Sequence, residues 1–138
     1  MAELARFSVS IEADLLKRFL KVAGKHGWTN RSEALRQLMR EALVREEWQK
    51  DEEIVGTVTL VYDHHKRELT ERLTSIQHDH HEAVLAATHI HLDHDNCLEM
   101  IAVRGRASAV QKIADALIGA RGVKHGTLTA ATTGEKLS

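Results

Sequence analysis

The chain opens on a strict alternation. Residues 6–11 read Arg-Phe-Ser-Val-Ser-Ile, so Phe7, Val9 and Ile11 fall on one face and Arg6, Ser8 and Ser10 on the other, the period of a short strand with one polar side. The period then changes. Over about 12–25, Leu15, Leu16, Phe19, Leu20, Val22 and Ala23 recur at three- and four-residue spacing, which predicts a helix, and Gly27 stands where a left-handed C-terminal cap is wanted. Asn30-Arg-Ser-Glu33 has the form of a capping box, and Leu35, Leu38, Met39, Ala42 and Leu43 make the apolar stripe of a second helix. Strand, helix, helix in the first 48 residues leaves one strand with no partner of its own; two copies pairing antiparallel would supply it.

Beyond this point β-rich and helical patterns alternate. Residues 54–62 are β-rich, 65–76 predict a helix with Leu69, Leu73 and Ile76 on one side, and 83–92 with 97–104 read as a hairpin around Asp93-His-Asp-Asn96. A helix over about 107–120 and a strand over 123–129 complete the order β-α-β-β-α-β, which is ferredoxin-like. The expected class is α+β, with a βαα module at 1–50, a βαββαβ domain at 51–131 and a flexible tail at 132–138. Helices cover one side of such a sheet, so the other needs a cover, most economically a second subunit.

Charge follows the same division. The whole 138-residue chain has 19 Lys+Arg and 20 Asp+Glu, yet residues 1–50 are net +3 and residues 51–138 net −4, as expected when the first part meets a polyanion. A single cysteine excludes an intrachain disulfide. No run approaches ~18 apolar residues and no basic-then-apolar leader opens the chain, so a cytoplasmic protein with a reduced thiol and no membrane contact is expected.

Candidate chemistry gathers in the second part. Eight of the ten histidines lie between His64 and His94, and Cys97 follows. His89 and His91, two apart on a strand, project from one face. If the hairpin pairs 91 with 97, then 89 faces 99, and Cys97 and Glu99 join the histidine face. Imidazole with thiolate suits zinc, copper, cobalt or nickel. No His-Glu-x-x-His helix is present, which argues against a metalloenzyme, and no catalytic residues are expected.

The βαα order, with the turn Gly27-Trp-Thr-Asn-Arg-Ser-Glu-Ala34, resembles the ribbon-helix-helix family of DNA-binding regulators. The spacing His78-x10-His89-x-His91-x5-Cys97 behind such a module closely resembles the nickel-responsive regulator family (NikR), over essentially residues 4–130. That resemblance implies an ACT-like metal-binding domain and a homotetramer, a dimer of dimers, acting as a nickel-dependent repressor of nickel uptake genes on a palindromic double-stranded DNA operator. It implies one Ni(II) per chain, bound by His89, His91 and Cys97 of one chain and His78 of a neighbour in a square plane, with Glu99 and Tyr62 orienting ligands or closing the site. Arg6, Ser8 and Ser10 would read base edges, and Asn30, Arg31 and Ser32 would meet a phosphate. His64 matches a position near the metal-linked interface, Lys66 and Arg67 match positions that touch DNA backbone, and His80, His81 and His94 read as solvated loop residues. A second cation site of the family is matched at Glu33 but not at Gln37. Alternatives from the residues are a ribbon-helix-helix regulator of another metal (Cu, Co, Zn) and an antitoxin-like DNA-binding protein whose C-terminal part holds a partner.

Overall fold

A computed structural model describes residues 2–137; Met1 and Ser138, the outer ends of the expected ranges 1–50 and 132–138, lie outside the described residues. The chain forms two compact units. One runs through Leu43 and includes Lys136 and Leu137; the other is Val44–Glu135.

The first unit holds α1 (Ala13–Lys25) and most of α2 (Arg31–Gln49). Between them Gly27 takes φ +74°, with Trp28 N–H donating to Ala23 O and Gly27 N–H to Gly24 O, a Schellman turn that ends α1 where glycine was expected to end it. Asn30 Oδ1 accepts the Glu33 N–H at 2.8 Å and caps α2. The expected capping box is half formed, because the Glu33 carboxylate turns along the helix to Arg36 and Gln37 instead of back to Asn30. Residues 2–12 carry no helix or strand. The expected strand at 6–11 therefore has no ladder in a single chain, and the reason is the missing second strand. Phe7, Val9 and Ile11 line a groove with Leu16, Phe19 and Leu35, so the alternation does place the apolar set toward the helices.

The Val44–Glu135 unit has the expected order, β1 (Glu53–Asp63), α3 (Arg67–Asp79), β2 (Val84–His91), β3 (Asn96–Arg106), α4 (Ala107–Ile118) and β4 (Val123–Ala130). Its antiparallel sheet runs β2-β3-β1-β4. Ile54, Val58, Leu60 and Tyr62 alternate along the inner face of β1 and pack with Leu69, Leu73 and Ile76 of α3 and Val110, Ile113 and Leu117 of α4. Each such aliphatic burial stabilises the unit by roughly 1.5–3 kcal/mol. The helices reach the inner faces of β1 and β3 fully. They leave β2 uncovered, and every residue of that edge strand after Val84 is exposed. On the outer face Ile90 and Met100 stay partly open to solvent, the side for which a second subunit was expected. α3 runs to Asp79, three residues past the expected end, and so carries His78 on the helix.

Candidate metal centre

The hairpin register is the one the alternation required. His91 pairs with Cys97 and His89 with Glu99, across the turn 93–96 that Asp93 fixes by accepting the N–H groups of Asp95 and Asn96. Cys97 and Glu99 also pair with Tyr62 and Leu60 of β1, which puts them on the helix-covered face and buries both. His89 and His91 share that face, but on the uncovered edge strand, so the imidazoles are open while the thiol and carboxylate are not.

The buried carboxylate is well satisfied. Glu99 accepts hydrogen bonds from Tyr62 Oη (2.7 Å) and Gln77 Nε2 (3.0 Å), and its Oε2 lies 3.3 Å from His89 Nε2. Glu99 thereby ties β1, the end of α3 and the histidine strand together, the geometry of a group that orients a ligand ring. Burial, and next the bond to Glu99, raises the Tyr62 hydroxyl well above its ordinary pKa, so it stays a donor. Burial likewise pushes the Cys97 thiol up, partly opposed by Tyr62. A metal taking this sulfur must therefore displace a proton, as thiolate ligation requires.

His78 sits exposed near the C-terminal end of α3, adjacent to Gln77 and facing the shallow groove of Thr70, Thr74 and Ser75. Among the described residues, the group of three or more potential ligands whose ligand atoms lie within 4.8 Å of one another is His65, His94 and Asp95; the four expected ligands do not form such a group within one chain. The donor set nonetheless fits a soft-to-borderline divalent ion, since the paired register presents two imidazoles and a thiol on one face. Gln77 emerges here without having been singled out in the sequence, and His64, expected near the metal-linked interface, gains a defined contact. Gln77 holds Glu99, and nothing in the sequence marks it because the contact spans 22 residues. His64 stands with its ring centroid 4.9 Å from that of His91, edge-on, and its Nε2 donates to His94 O at 2.9 Å, as does His65. The histidine pair after β1 is thus drawn against the hairpin turn, and His94 is less of a bystander than expected.

On the N-terminal unit Arg6, Ser8 and Ser10 are exposed, as are Asn30, Arg31 and Ser32 at the start of α2. The amides of that first turn lack intrahelical acceptors and carry the positive end of the helix dipole. Glu33 is engaged by Arg36 (2.8 Å) and Gln37 (3.0 Å), both on its own helix.

Known proteins decide the family. The model of the NikR C terminal nickel binding domain matches residues 55–131, and that of the ribbon-helix-helix protein, copG family, matches residues 5–46. A protein of Solibacter usitatus (strain Ellin6076) is 55% identical over 138 residues, and one of Geobacter sulfurreducens (strain ATCC 51573 / DSM 12127 / PCA) 56%, each alignment covering 99% of both chains. Both carry the name "Putative nickel-responsive regulator". The chain belongs to the nickel-responsive regulator family. As a member it joins a ribbon-helix-helix DNA-binding and dimerising module to a nickel-binding domain, and the family is one of transcriptional regulators, not enzymes. An uncharacterized protein of Thermotoga maritima, 11% identical, matches with a TM-score of 0.51 over 57% of this chain and 98% of its own, a likeness of fold alone. No helix among the described residues is long and apolar enough to cross a membrane.

Proposed function

We propose that this nickel-responsive regulator is a cytoplasmic repressor of nickel uptake genes, a dimer of dimers that grips a palindromic operator when nickel is sufficient. The observation that carries the site is the register His91 with Cys97 and His89 with Glu99, which brings two imidazoles of the edge strand β2 and the thiol of the neighbouring β3 to one face of the sheet. In this reading His89, His91 and Cys97 hold one Ni(II) per chain together with His78 of a neighbouring chain. Nickel supplies a d⁸ ion suited to a square plane of three nitrogens and one thiolate. Glu99 would fix the His89 ring, Tyr62 and Gln77 hold Glu99, and Cys97 would have to give up its proton to serve as a thiolate ligand. An edge strand with open imidazoles supports completion by another subunit, and occupancy then stabilises only assemblies that bring His78 close.

On DNA, Arg6, Ser8 and Ser10 take the base edges of the major groove, and Asn30, Arg31 and Ser32 take a phosphate at the start of α2. Binding linkage makes the two sites reciprocal: operator DNA tightens nickel binding by the factor by which nickel tightens operator binding.

The decisive experiment titrates reduced, metal-free protein with Ni, Cu, Co and Zn and then measures operator binding at fixed salt. The expected result is one tight nickel per chain, a thiolate charge-transfer band, and operator affinity raised by nickel. Mixing His78→Ala chains with Cys97→Ala chains should restore complete sites; confirmed mixing without restoration overturns the crossed-subunit assignment.

A further inference from the structure

The end of α2 is fastened by a second device. α2 closes in a Schellman turn whose left-handed position holds Asp51 (φ +56°) in place of glycine, with Glu52 N–H donating to Glu47 O and Asp51 N–H to Trp48 O. A residue with a Cβ is disfavoured there, and aspartate is one of the few that tolerate it. Its side chain is what the turn gains. Asp51 Oδ1 accepts the Ser108 N–H at 2.7 Å and Glu52 O accepts the Ala107 N–H at 3.1 Å, so the α2 exit supplies acceptors for the first two amides of α4. The residue at the N-cap of α4 itself, Arg106, offers no side-chain cap. The Asp51 carboxylate sits at the positive end of the α4 dipole, and the bonds to Ser108 hold its pKa below the ordinary aspartate value.

One residue turn earlier, Trp48 Nε1 donates to Ala131 O at 2.9 Å, and Ala131 N–H donates to Val55 O. The indole lies over Gly56, where a Cβ would stand 3.3 Å from the ring. All these atoms belong to the Val44–Glu135 unit, although Val44–Gln49 continues the helix that starts at the Asn30 cap. Between Arg31 and Gln49 there is no glycine or proline to act as a swivel.

We propose that Asp51 and Trp48 form a clamp that makes the last turns of α2 a rigid part of the metal-binding unit, so that α2 acts as a lever delivering the state of that unit to the operator. Both are positioning residues that touch neither metal nor DNA, and the regulatory half of the inference rests on the nickel-gated DNA-binding function proposed above.

The test uses the full chain with Asp51→Gly, Asp51→Asn and Trp48→Phe. Glycine suits the left-handed turn but removes the cap, asparagine keeps both an acceptor and the turn, and phenylalanine removes the indole donor together with the ring atoms over Gly56. In metal-free protein, Asp51→Gly should speed hydrogen exchange at 107–108 by roughly five- to tenfold, with Asp51→Asn close to wild type. Unchanged exchange in Asp51→Gly overturns the clamp. In operator titrations at fixed salt, Asp51→Gly and Trp48→Phe should lose roughly fivefold or more of the nickel-dependent gain in affinity, with nickel affinity and binding to non-operator DNA as in wild type. Faster exchange with the full nickel gain retained overturns the lever. Absence of any nickel gain in the wild-type chain overturns the proposed function and the lever with it, while the exchange result still judges the clamp by itself.

Discussion

The two units differ in what a single chain completes. The Val44–Glu135 unit closes its own core: a four-stranded sheet and two helices bury Ile54, Val58, Leu60, Ile101 and Leu117 with no exposure at all. The N-terminal unit buries almost nothing, and Phe7 remains 63% exposed and Val9 58%. The contrast separates two uses of a partner. The N-terminal module needs another copy in order to be a folded object, since its strand has no ladder and its apolar side no cover. The Val44–Glu135 unit closes its core within one chain but exposes His89 and His91 on an edge strand, so under the proposed function what it takes from a neighbour is a ligand. On that reading oligomerisation is structural at one end and chemical at the other.

The strongest perturbation of that contrast is Ile101→Ala, which should cost roughly 2–5 kcal/mol by opening a cavity in the self-sufficient core. The two tryptophans allow each unit to be followed: in a Trp28→Phe background, urea unfolding reported by Trp48 should move to lower concentration, while the Trp28 signal of a Trp48→Phe background should be the more sensitive to dilution of the protein. Equal dilution sensitivity of the two signals would break the comparison. Next, Glu99→Gln should lower nickel affinity roughly 10–100-fold by weakening the hold on His89, measured by competition with a chelator, with secondary structure intact. Operator binding by Arg6→Ala should weaken by about 1–3 kcal/mol and lose preference at one base position, while nickel affinity in the absence of DNA stays unchanged. The smallest effect is expected for Asn30→Ala, about 1 kcal/mol of stability lost from the start of α2, read by thermal unfolding; no shift would mean the cap at Glu33 N–H contributes nothing in the dimer.

Local periodicity carried much of this fold. The alternation in β1, the i, i+3/i+4 stripes of α1, α3 and α4, and the Asp93–Asn96 turn are each set by neighbours in sequence, and the pairing of 91 with 97 follows once the turn is placed. The ends of helices were less legible, because nothing apolar marks the extension of α3 to Asp79. The half-made capping box shows the same limit: Asn30 and Glu33 have the right spacing, yet Arg36 and Gln37 compete for the Glu33 carboxylate and win. Contacts between distant segments left no local trace. Gln77 with Glu99, His64 with His91 and Asp51 with Ser108 all depend on the packed sheet and helices, so no spacing rule could have named them.

The burial of Cys97 has one further consequence, in chemical durability. Oxidants and alkylating agents attack the thiolate, and a thiol that is both enclosed and held protonated presents little of it. A regulator waiting in its metal-free state keeps its one thiol reduced while the neighbouring imidazoles remain open to solvent. The fold thus shelters the proposed ligand that reacts most readily and leaves the less reactive imidazoles exposed.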